Sequence, residues 1–317
     1  MNALGRLTKT NHAEHVICPV CFCHSIRRPA FFSFDNLRQC CGCGLAFEKR
    51  IPSDEELFQT YKIYSYKCLR PCSKATQRSY QRVLQSFAKW RGGGKILDLG
   101  CGQGDFILQA QDTGWLAKGF EFSESAVALC NSRGLDVVQG SSALDVFKHE
   151  KFDVITAFEV LEHLRRPADL LDAAFQLLEV GGLLYLTTPN FNAALRYLQR
   201  DNFYMLGYPG HLCIFAPKPL RHIAKQHGFS VAKLTTTGID PIRLAKAMGL
   251  KRPLGRLTKA PSAQTKAASP GSSLSELDIL RDVISSDPMA SLFKRAANRF
   301  LTASGLGDSL NVWLVKV

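Results

Sequence analysis

The alternation of apolar and polar residues predicts an α/β domain over the second two thirds of the chain. Short apolar runs bounded by glycine, proline or polar residues are typical of strands in a mostly buried sheet. Amphipathic stretches with apolar residues three and four apart separate them and are typical of surface helices. The predicted strands are residues 95–99, 117–121, 137–139, 152–157, 183–187, 229–234 and 309–316.

Ahead of this domain, the spacing of cysteines indicates a metal site. Cys18 and Cys21 form one CxxC knuckle, and Cys40 and Cys43 form a second after eighteen intervening residues. Two such knuckles place four thiolates around a tetrahedral Zn²⁺, which is then structural because no coordination position stays open. The neighbouring residues Cys23, His24 and Cys41 are alternative ligands, and buried free thiols in a metal-free module are the other interpretation.

These patterns divide the chain into three parts. A zinc-ribbon-like module is predicted over residues 1–50, and a helical connector over 51–91 begins with the capping box Ser53-x-x-Glu56. The α/β domain is predicted over 92–317. Within it, residues 239–308 form a partly flexible helical insertion before the last strand.

Composition and charge indicate where in the cell the protein is found and which kinds of partner it binds. The chain has 317 residues and a formal net charge of +13, and seven lysines and arginines lie in the stretch 243–266 without an acidic residue. Such a stretch is more often a solvated loop than a nucleic-acid contact. Because the sequence shows neither a signal peptide nor an apolar run of membrane-spanning length, we predict a cytoplasmic protein without a membrane span.

A glycine-rich turn after the first predicted strand indicates where a cofactor binds. The residues Gly100-Cys101-Gly102-Gln103-Gly104 lie between a strand and a helix, where open α/β sheets bind ligands. A dinucleotide fingerprint needs glycine at position 105, and Asp105 stands there, which disfavours NAD. Glu121 ends the next strand at the spacing that suits a carboxylate accepting hydrogen bonds from both ribose hydroxyls.

The motif LDLGCGQG resembles motif I of the class I S-adenosylmethionine-dependent methyltransferases, and FDVI followed by EVLEHL resembles their motif IV region. The order of CPVC, CCGCGLAF, PSDEEL and LDLGCGQG is similar to that of zinc-ribbon-bearing members of the family. The resemblance implies a seven-stranded Rossmann-like sheet with helices on both faces. It also implies that the last strand is antiparallel and lies beside the sixth, so deleting it should unfold the domain.

The same resemblance implies S-adenosylmethionine as cofactor and assigns its contacts. Asp98 orients the methionine end, the three glycines give the cofactor backbone room, and two serines replace the acid that often accepts the adenine amino group. The cofactor-binding residues implied in this way are Asp98, Gly100, Gly102, Gly104, Glu121, Ser141, Ser142, Phe158 and Glu159.

Two histidines are candidates for the base that deprotonates a hydroxyl acceptor. His163 follows the fourth strand, and His211 lies in the connection after the fifth strand, which commonly covers the substrate. Of the two, we favour His211. For His163, orienting the loop that follows is an equally good interpretation.

Three functions follow from these features. The first is O- or C-methylation of a small-molecule or glycan-precursor acceptor. The second is RNA methylation with the zinc module gripping the substrate, which is disfavoured because the module is not rich in basic residues interleaved with aromatic residues. The third is a non-catalytic scaffold, against which the intact glycine turn and Glu121 argue.

Overall fold

The computed structural model describes residues 5–7, 13–30, 32–63, 71–203, 205–238, 296 and 299–317. The basic stretch 243–266 and most of the predicted insertion 239–308 lie outside the described residues. In the part of the chain that the structure describes, no helix is both long and apolar enough to cross a membrane.

Six short strands and two helices make up the described N-terminal region. They are β1 (Gly5–Leu7), β2 (Ala13–His15), β3 (Ile26–Arg27), β4 (Leu37–Cys40), β5 (Ala46–Glu48), β6 (Arg50–Ile51), α1 (Asp54–Ile63) and α2 (Lys74–Ser86). The predicted capping box is present, because the Glu56 amide donates to Ser53 Oγ at 3.2 Å and the Ser53 amide donates to Glu56 Oε2 at 3.0 Å.

The rest of the described chain alternates strands and helices. Its elements are β7 (Lys95–Leu99), α3 (Asp105–Asp112), β8 (Leu116–Glu121), α4 (Glu124–Ser132), β9 (Val137–Gln139), α5 (Ala143–Phe147), β10 (Phe152–Phe158), α6 (Pro167–Leu177), β11 (Leu178–Pro189), α7 (Ala194–Gln199), β12 (Cys213–Ile214), α8 (Pro217–Gln226), β13 (Phe229–Thr237) and β14 (Ser309–Lys316).

Seven of these strands form one central sheet in the order β13-β14-β11-β10-β7-β8-β9. The strands β9, β8, β7, β10 and β11 are parallel, and β14 lies between β11 and β13 and is antiparallel to both. Helices cover both faces: Phe87 and Phe106 pack on one side, and Phe147 and Leu171 pack on the other. The predicted seven-stranded fold, with its antiparallel last strand beside the sixth, is confirmed.

The sequence prediction for β11 was wrong at its start. The strand is predicted to begin at residue 183, but α6 ends at Leu177 and the strand begins at Leu178, ahead of Gly181 and Gly182. The glycines lie inside the strand, where the pairing register with β10 shifts. A Cβ on Gly182 would approach the Asp153 carbonyl oxygen to 3.1 Å, so the glycine permits a bulge at this point.

The central position of β14 predicts a large loss of stability when its apolar residues are truncated. Leu314 is fully buried and pairs with Leu184 and Val231 on its two neighbours. Leu314→Ala should lower the free energy of unfolding by about 2 to 5 kcal/mol, whereas Val317→Ala, at an exposed position, should change it little. Urea unfolding followed by circular dichroism measures both, and equal effects would contradict a central β14.

The cysteine-bearing region is joined to the region of the central sheet through a second sheet. The segment of residues 190–216, which we call the capping segment, contributes β12 to a four-stranded sheet of order β12-β5-β4-β3. Cys213 pairs with Phe47, and Ile214 pairs with Ala46. Both regions also share one apolar core, which includes Phe32, Leu37, Phe191, Phe203 and Ile214. The residues before the predicted boundary near residue 50 are therefore packed against the rest of the chain.

Candidate functional site

The glycine turn at the carboxyl end of β7 leaves space along the main chain. Gly100 and Gly104 have φ values of +71° and +80°, which side chains rarely adopt. A Cβ at Gly100 would lie 2.7 Å from Val160 Cγ2, and one at Gly104 would lie 2.4 Å from Leu135 Cδ1. Any larger residue would therefore be strained here and would also displace its neighbours.

Glu121, at the end of β8, is hydrogen-bonded to this turn. Its Oε2 accepts from the Gly102 amide at 2.9 Å, and its Oε1 accepts from the amides of Phe122 and Ser123 at 2.8 and 2.9 Å. The structure thus brings together two residues that the sequence paired by spacing alone. Oε2, which accepts only one of these three hydrogen bonds, keeps an acceptor position for a ligand.

Asp98 lies next to the last residue of β7, just before the turn, and is almost completely buried. Its Oδ1 accepts from Thr156 Oγ1 at 2.7 Å. Burial raises the pKa of this carboxyl group to about 7, against the opposing effect of the Thr156 hydrogen bond, and the charge of Glu121 raises it further. A cationic ligand next to Asp98 would favour its ionised form.

Phe158, at the end of β10, forms an aromatic wall with residues from other elements. Its ring centroid lies 4.7 Å from that of Phe106, 5.4 Å from that of Tyr80 and 5.5 Å from that of Tyr185. Tyr80 lies on the face of α2 that packs against the core. Burial and the charge of Asp98 raise the pKa of Tyr80.

The two serines predicted for the adenine pocket differ in their contacts. Ser142 is the N-cap of α5, and its Oγ accepts from the Asp145 amide at 3.3 Å. Ser141 is exposed at the end of the connection from β9. The role of both in adenine binding stays a prediction.

Glu159 directly follows β10 and has a left-handed backbone with a φ of +53°. For a residue other than glycine this conformation costs about 1 to 3 kcal/mol and is concentrated at functional sites. Its amide donates to the Thr187 carbonyl oxygen at 3.0 Å, which holds the bend in place. Burial raises the pKa of its carboxyl group.

Three side chains converge next to Glu159 and form what we call the Glu/His cluster: Glu162, His163 and His211. Glu162 Oε1 lies 3.8 Å from His163 Nε2, and the two imidazole centroids are 4.9 Å apart. Sequence reasoning proposed each histidine separately and did not include Glu162. Glu162 directly precedes His163 in EVLEHL, and this adjacency is the local signal that could have suggested Glu162.

Backbone carbonyl groups fix the orientation of both histidines. His163 Nδ1 lies 2.6 Å from the Gly210 carbonyl oxygen, and His211 Nδ1 lies 2.8 Å from that of Met205. Because a carbonyl oxygen only accepts, each Nδ1 carries the proton, and each neutral ring keeps a lone pair on Nε2. Burial lowers the pKa of both rings and favours this neutral form.

The four cysteines predicted as metal ligands lie together. The Sγ atoms of Cys18 and Cys43 are 3.7 Å apart, those of Cys21 and Cys40 are 3.4 Å apart, and all four lie within 4.8 Å of one another. Sulfurs around one tetrahedral Zn²⁺ lie about 3.8 Å apart, given Zn–S bonds of about 2.3 Å. The donor set therefore fits zinc. Cys41, an alternative ligand in the sequence analysis, is exposed.

Comparison with known proteins decides the family. The sequence model of a family described as "Methyltransferase domain" matches residues 73–234, more than half of the chain. The chain belongs to this methyltransferase family. The match includes the glycine turn, Glu121, Glu162 and His163. The predicted S-adenosylmethionine-dependent methyltransferase activity is thereby confirmed as the enzyme class.

This methyltransferase is similar to two curated relatives and to one solved structure. It is 26% identical over 184 residues to a ubiquinone biosynthesis O-methyltransferase of Aromatoleum aromaticum, covering 54% of this chain and 79% of the relative. It is 27% identical over 163 residues to the protein of that name from Thiobacillus denitrificans, covering 47% and 70%. A crystal structure of a SAM-dependent methyltransferase from Archaeoglobus fulgidus aligns with a TM-score of 0.47 and 17% identity, covering 82% of this chain and 99% of that chain.

Proposed function

We propose that this methyltransferase transfers the methyl group of S-adenosylmethionine to an oxygen atom of a small-molecule acceptor. The observation that carries the proposal is the convergence of two histidines, His163 just after β10 and His211 from the capping segment, each with a lone pair on Nε2. The parallel strands β7 and β10 are neighbours, so their carboxyl ends present Gly100 and Glu162 at the same edge of the sheet. The names of the curated relatives, which act in ubiquinone biosynthesis, support oxygen as the acceptor atom.

The cofactor would lie along the glycine turn. Glu121 would accept hydrogen bonds from the ribose hydroxyls, with Oε2 offering an open acceptor position, and the bare main chain of Gly100, Gly102 and Gly104 would line the crevice. Asp98 would face the amino group of the methionine part, beside the wall formed by Phe158. Ser141 and Ser142 would lie at the adenine end.

Catalysis would depend mainly on positioning and on the removal of one proton. When bound, the sulfonium of the cofactor supplies an electrophilic methyl group, and the acceptor oxygen attacks it in line. The protein has to hold that oxygen, exclude water and accept or replace the hydroxyl proton. The Nε2 lone pairs of His163 and His211 are suited to this task, and we retain His211 as the candidate for a base that acts directly.

The four cysteines would bind a structural Zn²⁺ that positions the capping segment. The β5 strand follows Cys43 closely and pairs with β12, which begins two residues after His211. Lys218 also donates to the Gly42 carbonyl oxygen at 3.2 Å. Zinc binding would therefore stabilise the site at a distance, through the position of His211, without taking part in the reaction.

Transfer of an isotopic label tests the proposed function. The zinc-loaded protein is incubated with methyl-labelled S-adenosylmethionine and panels of catechols, hydroxylated quinols, hydroxylated glycan precursors and bulk RNA. We expect label in an O-methyl ether of a small molecule. Label recovered only in RNA would overturn the small-molecule acceptor, and failure to bind S-adenosylhomocysteine would support the scaffold.

The pKa of Asp98 predicts how cofactor affinity depends on pH. Its carboxyl group has a pKa of about 7 and has to be ionised to pair with the cofactor's ammonium group. Affinity for S-adenosylhomocysteine should fall about tenfold per pH unit below pH 7 and level off above it. Calorimetric titration between pH 5.5 and 8.5 measures this dependence. A flat profile that matches that of Asp98→Asn would contradict it.

A further inference from the structure

We propose that Glu162, His163 and His211 bind a divalent cation, and that this cation holds the acceptor through two neighbouring oxygen atoms. The proposal rests on the proposed function and names the substrate class of the same site: a catechol or a vicinal diol. In this inference no histidine acts directly as the base. The cation instead binds the acceptor hydroxyl and favours loss of its proton.

The first argument is the spacing of the candidate ligand atoms. One carboxylate oxygen and two imidazole nitrogens, from Glu162, His163 and His211, lie within 4.8 Å of one another. Ligand atoms about 2.0 to 2.2 Å from a common ion lie roughly 3 to 4 Å apart. The distance of 3.8 Å between Glu162 Oε1 and His163 Nε2 falls in that range.

The second argument is the way both rings are held. Metal-binding histidines usually donate their other ring N–H to a carbonyl or carboxylate group, which fixes the tautomer and the ring orientation. His163 and His211 both do this, toward the carbonyl oxygens of Gly210 and Met205. A base that acts directly needs one imidazole, whereas here a nitrogen from each of two imidazoles lies within 4.8 Å of the same carboxylate group.

The third argument is a buried carboxylate oxygen that accepts no hydrogen bond from the described residues. Glu162 is 1% exposed; its Oε2 accepts from Thr188 Oγ1 at 3.0 Å, but its Oε1 has no hydrogen-bond partner among the described residues. The charge of Glu159 also acts on Glu162. Neither carboxylate has a Lys or Arg ion-pair partner in the part of the chain that the structure describes. A buried charge of this kind is costly, and a cation would compensate for it.

The donor set selects the kind of ion and the kind of acceptor. Two imidazoles and one carboxylate favour a transition-metal ion such as Mn²⁺, Fe²⁺, Co²⁺ or Zn²⁺ over Ca²⁺. Three protein ligands leave positions open, as catalytic metal sites require. An acceptor with two adjacent oxygens would fill two positions as a chelate, which fixes one oxygen for the reaction.

The reaction then needs no protein base. The cation lowers the pKa of the bound hydroxyl, so its proton is released to solvent. The resulting oxygen anion forms a bond to the methyl carbon as the carbon–sulfur bond breaks, and that electron pair stays on the sulfur. The anionic oxygen and the sulfonium give a neutral ether and a neutral thioether.

Titration with Mn²⁺, followed by electron paramagnetic resonance, tests the cation site. The full-length protein is first loaded with one equivalent of Zn²⁺ for the four cysteines. We expect one saturable Mn²⁺ per chain, and at least a tenfold weaker affinity in Glu162→Gln and in His211→Asn. His227→Asn is the matched control, because His227 also pairs with a carboxylate, that of Asp172, but lies at the end of α8.

The outcomes separate the inference from the proposed function. Unchanged Mn²⁺ affinity in Glu162→Gln, or no saturable binding in the wild-type protein, would overturn the cation site. S-adenosylhomocysteine affinity, measured in the same samples, should stay within about twofold of wild type and also reports folding. If the wild-type protein binds S-adenosylhomocysteine but not Mn²⁺, only the inference fails. If it binds neither, the proposed function fails as well.

A second measurement tests the chelating acceptor without any variant. Mn²⁺ bound to the protein enhances the relaxation of water protons through its coordinated waters. Catechol should lower this enhancement by displacing two waters, and phenol, with a single hydroxyl, should lower it much less at the same concentration. Equal effects of catechol and phenol would overturn the two-oxygen acceptor.

Discussion

Glu121→Ala is expected to weaken S-adenosylhomocysteine binding by at least about a hundredfold. The carboxylate would lose charge-assisted hydrogen bonds to two ribose hydroxyls, each contributing about 1.5 to 3 kcal/mol. It would also lose the contact with the Gly102 amide that holds the glycine turn. Isothermal titration calorimetry of the purified protein measures the change.

Two further variants show whether this effect belongs to the carboxylate. Glu121→Gln keeps the size of the side chain but loses one acceptor oxygen, so its affinity should lie between those of alanine and wild type. Glu124→Gln, three residues on at an exposed position in α4, should bind normally. Binding by Glu121→Ala at wild-type affinity would contradict the proposed ribose contact.

The double substitution Cys18→Ser with Cys43→Ser is expected to remove the bound zinc and abolish methyl transfer. Structural zinc contributes roughly 10 kcal/mol or more to the folding of such modules, and short strands alone do not replace it. Without it, β5 should no longer hold β12, and the capping segment should lose its position. Metal analysis and hydrogen exchange across residues 205–216 measure the two effects.

The cofactor crevice should survive this change, which distinguishes local from global unfolding. S-adenosylhomocysteine affinity should stay close to wild type, since the crevice is built by β7 and β8. Cys41→Ser, at an exposed thiol outside the predicted ligand set, should keep one tightly bound zinc and full activity. Loss of zinc in Cys41→Ser, or full activity in the double variant, would contradict the proposed role of the module.

The parts of the site that the sequence predicted correctly are those encoded by local patterns. The glycine turn, Asp98 and Glu121 follow consecutive strands at the short spacings that βαβ connections impose. The four cysteines lie in two compact knuckles, so their approach depends on only two turns. The antiparallel last strand beside the sixth followed from the resemblance to the family.

The parts that the sequence did not predict depend on contacts between distant segments. The pairing of Phe47 with Cys213 joins residues with no shared local pattern, so the shared sheet could not be foreseen. Tyr80 fits an ordinary helix pattern and gains its place near the site only through packing. The sequence around Glu162 is typical of a buried turn. His211 belongs to the capping segment, far along the chain, so its position beside His163 and Glu162 is visible only in the folded structure.

A crystal structure of the zinc-loaded protein with S-adenosylhomocysteine tests the central claim most directly, namely that the glycine turn and the Glu/His cluster form one active site. We predict that the ribose lies on Glu121 and that the sulfur faces the space bounded by His163 and His211. A cofactor bound with its ribose away from Glu121, or with protein between its sulfur and the two histidines, would contradict this account.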